Sequence, residues 1–253
     1  MPGPMIDKFK SASGLRGHAL YLDVDGTILD LAPRPDAVEV PNDMVPLLRQ
    51  LSTVLDGAVA FVSGRPISAI DALFTPLRFP TIGVHGGEVR TPDGQVVRDQ
   101  QLTRELAEVS PLLRRAVAHM RGVLLEDKGS AIALHYRTVP DRGREVLKVA
   151  ELVLGDANMT GDFMIRLGKC VVEICPRHLT KGSALLQMME RPPFRGRTPI
   201  YAGDDTTDED AFEAVNRLGG ISLRVGDDAP TAASFRLRDP ERLRGWLFEV
   251  AQA

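Results

Sequence analysis

The sequence predicts an α/β protein in which a Rossmann-like parallel sheet core is interrupted by an inserted α+β cap. Three observations lead there. Between residues 18 and 98, short apolar runs alternate with stretches of helical period, the pattern of strand-helix-strand units. From about residue 101 to 177 the order becomes helix, two strands, helix, strand, an α+β module in its own right. From "HLTKGSALLQMME" onward the first pattern returns. The expected domains are therefore 1–99 and 178–253 for the two parts of the core and 100–177 for the cap.

Taken in order, "HALYLDV" is the first strand, and the helix "PNDMVPLLRQLST" leads to the second, "GAVAFV". "SGRPISAIDALF" starts a helix with Pro66 in its first turn, where an absent N–H costs nothing. "TIGVHGGEVRTPDGQVV" reads as a short strand and a hairpin with "PDG" at its tip. The cap begins with the amphipathic helix "LTRELAEVSPLLRRAVAHMRG", then "VLLEDKGSAIALHYR", the helix "DRGREVLKVAELVLG" and the strand "KCVVEIC". The core resumes through "TPIYAGDDTTDEDAFEAV" and "GGISLRVGDDAPTAAS" to its final helices.

Composition bounds the function classes. Residues that are 43% hydrophobic and 26% charged describe a folded globular chain. Of 31 cations 25 are Arg, scattered rather than blocked, and the net charge is −3, so no nucleic-acid partner is expected. The first 20 residues hold no apolar core long enough for a signal peptide or membrane span, and no membrane partner is expected either. Cys170 and Cys175 fall on opposite faces of one expected strand, roughly 16 Å apart, too far to bridge. That usage fits a reducing compartment, and a cytoplasmic location is expected. No feature sets an oligomeric state; a monomer is the working expectation.

The chemistry-bearing residues gather at expected strand ends and helix starts. Asp23 and Asp25 sit at the C-terminal end of the first strand, where open parallel sheets bind ligands. Gly26 then permits a tight turn that exposes amides to an anion, although a polar strand end followed by a glycine turn would look the same. Ser63 ends the second strand ahead of a helix N-terminus, either as part of a phosphate cradle or as an ordinary N-cap. Lys181 opens a helix, where a cation opposes the dipole unless an anion accompanies it. "GDDTTDED" holds five carboxylates in seven positions. A capping box of Thr207 with Asp210 accounts for the later ones, but Asp204 and Asp205 precede the helix. The second "GDD", residues 226–228, lacks that acidic tail and reads as a loop. In the cap, Glu126 and Lys128 lie two apart in an expected strand and so share a face, and Glu173 is the one charge inside "CVVEIC".

Asp-x-Asp-Gly-Thr, a strand-end Ser, a helix-start Lys and Gly-Asp-Asp, in that order with a cap between the second and third, resemble the haloacid dehalogenase superfamily of phosphohydrolases. "SGR", "HGGE", "EDKGSAIALHYR", "VVEICPRHLTKGSAL" and "AGDDTTDEDAF" are together similar to its trehalose-6-phosphate phosphatase family; one departure is Ile28, where that family more often has Leu. The resemblance implies a haloacid dehalogenase-like fold and hydrolysis of trehalose 6-phosphate with Mg²⁺. It implies Asp23 as nucleophile and Asp25 as general acid and base. Mg²⁺ is implied on Asp23, the Asp25 carbonyl and Asp204, with Ser63 and Lys181 on the phosphoryl group. Thr27, Gly64, Asp205 and Asp208 are implied as support for phosphate or metal, and Arg65, Glu126, Lys128 and Glu173 as substrate contacts. Another sugar phosphate, such as sucrose phosphate or mannosyl-phosphoglycerate, or a non-catalytic sugar-phosphate sensor, are the alternatives.

Overall fold

The computed structural model describes residues 12–32, 37–168, 170–227 and 229–252. The chain forms two compact units: Val97–Leu179 is one, and the segments on either side of it make the other.

The larger unit is built on an eight-stranded sheet. In chain order its strands are β1 (His18–Asp23), β2 (Val59–Val62), β3 (Thr81–Gly83), β4 (Glu88–Arg90), β5 (Val96–Val97), then β10 (Thr198–Gly203), β11 (Ile221–Val225) and β12 (Phe235–Leu237). In space the order is β12-β11-β10-β1-β2-β3-β4-β5. From β12 to β3 every pairing is parallel, and β4 turns back antiparallel on β3. β1 is thus central, flanked by β2 and β10. Its residues Ala19 to Leu22 are fully buried, which explains the unbroken apolar run: a strand covered on both faces has no solvent side to alternate toward.

Helices cover the sheet. α1 (Met44–Val54) buries Met44, Leu47, Leu48 and Leu51, one stripe at helical spacing. α2 is Ile67–Leu73, α5 is Lys181–Met189, α6 is Glu209–Arg217 and α7 is Pro240–Gln252. α7 packs Leu243, Trp246, Leu247 and Val250 into the same core. Burying each such side chain contributes roughly 1.5–3 kcal/mol. Asp30, just past the β1 loop, pairs with Arg244 of α7 at 3.2 Å. The "final helices" expected from sequence are the one helix α7. Asp227 in the loop before β12 pairs with Arg224, and Asp228 lies outside the described residues.

The smaller unit has an antiparallel sheet in the order β6-β7-β9-β8, with β6 at Leu124–Asp127, β7 at Ile132–His135, β8 at Phe163–Gly168 and β9 at Val171–Pro176. α3 (Gln100–Val117) and α4 (Gly143–Asp156) pack on one face. Leu106, Leu113, Val146 and Leu154 meet Ile132, Leu134, Val172 and Ile174 there. Asp99 starts α3 by accepting from the amides of Gln101 and Leu102. β8 corrects the expected helix-strand-strand-helix-strand order: "FMIRLG" is a fourth, edge strand. Its Phe163, Ile165 and Leu167 share one face, while Met164 and Arg166 point to the other, so an apolar residue on the second face blurs the alternation. Lys128 also lies just beyond β6 rather than in it. Among the described residues no helix is long and apolar enough to cross a membrane.

Candidate active site

β1 delivers Asp23 to the C-terminal edge of the sheet in register with Val62 of β2, so Ser63 stands one residue beyond that partner. Two hydrogen bonds close the loop after β1 onto the Val24 carbonyl, from the amides of Thr27 and Leu29. Gly26 makes the turn at φ +80°, and a Cβ there would lie 2.1 Å from Asp204 Oδ2. The glycine is therefore required twice, for its backbone and for the room it gives Asp204.

Asp23 is buried. Thr27 Oγ1 donates to its Oδ2 at 2.8 Å and Lys181 Nζ to its Oδ1 at 2.8 Å. Lys181 also donates to Asp208 Oδ1 at 2.6 Å. The three side chains are at most 5% exposed, so they form a desolvated ion triplet. Burial opposes charge on Lys181, but Asp208 and Asp23 outweigh it and hold the ammonium well above its usual pKa. Burial pushes Asp23 up to about 7, with Lys181 pulling the other way. Asp204 is pushed up to about 9, by burial first and then by the negative charges of Asp23 and Asp208.

Asp208 closes the set. Besides Lys181, its carboxylate accepts from Tyr201 Oη and from the amides of Asp204 at 3.1 Å and Asp205 at 2.9 Å. Four acceptor sites are filled, the capacity of a carboxylate. Asp23, Asp204 and Asp208 lie within 4.8 Å of one another and form an acidic cluster suited to a metal ion. With Asp208 saturated, Asp23 and Asp204 are the two carboxylates with lone pairs to offer. A divalent cation there would suit both, since its positive charge would offset the burial, and after it the neighbouring negative charge, that push their pKa values up.

Other positions differ from the sequence reading. Asp205, not Thr207, makes the capping box, with Asp208 at its third position, in the short turn Thr206–Asp208. Asp210 does not cap its own helix; it accepts from the Gly182 amide and fixes the start of α5. Thr180 with Ser183 forms a further capping box there, so Lys181 is the first residue of a firmly held helix. Ser63 is no N-cap of α2, whose cap position is Pro66; the Ser63 Oγ accepts from the Arg65 amide at 3.1 Å. At the α2 N-terminus, the other element of the possible phosphate cradle, the first amide, Ile67, donates to Glu88 at 2.9 Å. Gly64 makes room for the ring of His85, which a Cβ would approach to 2.5 Å. Arg65, expected on a substrate oxygen, forks onto Asp25 with bonds of 2.6 and 2.7 Å.

The smaller unit carries its own polar cluster on the sheet face away from its helices. Lys128 Nζ donates to Glu173 Oε1 at 2.8 Å, and Glu126 meets His135 Nε2 at 2.8 Å. Glu173 is only 5% exposed and has the charge partner that its apolar strand demanded. Sequence reasoning passed over His135 and Tyr201. His135 follows Ala133 by two and so shares its face, a signal that was available; Tyr201 sat inside "PIYA" and read as core.

A parallel sheet with an aspartate pair at the end of its central strand, a buried helix-start lysine and a facing acidic loop defines a haloacid dehalogenase-like phosphohydrolase, and the fold is shared with solved members of that class. The chain belongs to the trehalose-phosphatase family, whose model matches residues 21–241. It is 44% identical over 241 residues to a protein of Sinorhizobium fredii named "Probable trehalose-phosphate phosphatase", covering 95% of this chain and 90% of that one. It is 40% identical to the trehalose-6-phosphate phosphatase of Escherichia coli, covering 93% and 87%. The crystal structure of a trehalose-6-phosphate phosphatase related protein matches with a TM-score of 0.76 at 25% identity, over 92% of this chain and 97% of that one.

Proposed function

We propose that this chain hydrolyses trehalose 6-phosphate to trehalose and inorganic phosphate, with Asp23 as nucleophile and Mg²⁺ as cofactor. The observation that carries the reading is Asp23 itself, fixed between Lys181 and Thr27 at the end of the central strand and facing Asp204. The substrate rests on the family and on relatives named for it.

An Asp23 carboxylate oxygen attacks phosphorus and the bond from phosphorus to the sugar oxygen breaks, leaving an aspartyl-phosphate. Asp25 gives its proton to the departing sugar oxygen, which leaves as trehalose. Asp25 then takes a proton from water as that water attacks phosphorus, and the Asp23 oxygen is released with inorganic phosphate. Lys181 and Ser63 stabilise charge on the phosphoryl oxygens. Asp23, the Asp25 carbonyl and Asp204 would hold Mg²⁺, which would supply the positive charge that lets an anionic nucleophile meet an anionic phosphate. Arg65 forks onto both Asp25 oxygens; a phosphate competing for that guanidinium would free an Asp25 oxygen to carry a proton. In the cap, Glu126, Lys128 and Glu173 are assigned to the sugar hydroxyls. The two free cysteines suit a reducing cytoplasm, the proposed place of the reaction.

Phosphate release from trehalose 6-phosphate, measured beside sucrose phosphate and mannosyl-phosphoglycerate with Mg²⁺ and then with excess chelator, tests this. Activity that favours trehalose 6-phosphate and disappears with chelator is expected. Comparable kcat/KM on the other sugar phosphates would end the substrate assignment.

Gly26→Ala is expected to lose at least about 1 kcal/mol of stability in chemical denaturation, the cost of a left-handed residue with a Cβ. It should also cut Mg²⁺-dependent phosphate release at least about a hundredfold, by driving Asp204 from its place. Unchanged kcat at saturating Mg²⁺ would show that the close approach of Gly26 to Asp204 has no bearing on turnover.

A further inference from the structure

Glu126, Ala133, Glu173 and Arg166 occupy one row across the four-stranded sheet, each in register with the next. Neighbours in such a row project to the same face. That face is the one opposite the helices, because the alternate row of Ile132, Ile174 and Ile165 belongs to the helix-packed core. Arg166 therefore shares a surface with the polar cluster, at the β8 end of the row.

The electrostatics of the row are uneven. Glu173 stands directly opposite Arg166, yet its Oε1 takes Lys128 from the other side at 2.8 Å. Arg166 Nη1 is buried and meets no hydrogen-bond acceptor, and Arg166 forms no ion pair among the described residues. Desolvating part of a guanidinium without an acceptor costs free energy that the folded chain does not recover internally. An oxygen-rich ligand recovers it. A guanidinium presents a planar fork of donors, and adjacent sugar hydroxyls both accept and donate, so an alternation of Arg166, Glu173, Lys128 and Glu126 can satisfy neighbouring hydroxyls in turn.

We propose that Arg166 is a ligand of the disaccharide hydroxyls and helps set sugar specificity, acting on the same bound substrate as Glu173 and Lys128. This rests on the reading of the substrate as trehalose 6-phosphate.

The test compares wild type and Arg166→Gln on trehalose 6-phosphate and on p-nitrophenyl phosphate, a monoester with no disaccharide, with thermal melting of both proteins. KM for trehalose 6-phosphate is expected to rise at least about tenfold, the loss of a hydrogen bond to a charged group. Its kcat should change less than about threefold. kcat/KM for p-nitrophenyl phosphate should be unchanged within about twofold, and Tm equal or higher because a buried guanidinium nitrogen without an acceptor has been removed. Arg166→Lys, which keeps the charge but not the fork, should recover only part of the KM. Equal losses on both substrates, or a lowered Tm, would make Arg166 a structural residue and overturn the proposal. So would an unchanged KM on trehalose 6-phosphate. A wild type that hydrolyses p-nitrophenyl phosphate but not trehalose 6-phosphate would instead overturn the substrate assignment, and this role with it.

Discussion

Asp23→Asn is expected to lower kcat for phosphate release by roughly 10⁴-fold or more, the scale seen when a covalent nucleophile is removed. The fold should survive. Asparagine keeps the volume of the side chain, its carbonyl oxygen still accepts from Lys181, and the Thr27 hydroxyl can turn to face the new amide or Asp204, 3.4 Å away. A Tm within a few degrees of wild type, with no phosphate burst in rapid quench, would place the loss in the chemistry. Residual turnover above a few per cent of wild type would rule Asp23 out as the nucleophile.

Lys181→Met should be the most destabilising single change in the site. It preserves an unbranched side chain but leaves Asp23 and Asp208 facing each other without a cation, and breaking a buried charge set by removing one partner costs about 3–5 kcal/mol. At roughly 2–4 °C per kcal/mol for a chain of this size, the drop in Tm should fall between about 6 and 20 °C. Adding Asp208→Asn to Lys181→Met removes the surplus charge and should restore part of the stability but none of the activity. If the double variant is no more stable than the single one, the triplet is not the source of the loss.

How much of this could be read in the sequence follows from which interactions are local. The end of β1 was legible because a two-faced burial writes an unbroken apolar run, and "DVDGT" follows it directly. Most strands of the larger unit were legible as apolar runs and its main helices as stripes of helical period, but the short strand β12 was not read. What a residue in that site touches was less so. The Arg65 fork onto Asp25 joins positions 40 residues apart, and nothing in "SGR" announces it. The acidic run after β10 looked like one feature but divides its labour by geometry: Asp205 caps, Asp208 holds Lys181, Asp210 holds α5 and Glu209 pairs with Arg224. In the smaller unit, Glu173 was conspicuous as a charge in an apolar strand. Arg166 was passed over because β8 was: Phe163, Ile165 and Leu167 do alternate along it, but Met164 on the opposite face blurs that period in so short a strand.

β1 lies between β2 and β10, and its Asp23 is held by a lysine 158 positions later. A ribosome adding about 5–20 residues per second leaves on the order of 10–30 s between β1 and β10. Throughout that interval one long edge of a parallel strand has no partner, while the inserted unit, whose contacts are all nearer in sequence, is complete before the core around it. The chain therefore emerges with its accessory unit finished and its catalytic centre half assembled. Holding that open edge against misassociation is a demand on the nascent protein that the finished enzyme no longer displays.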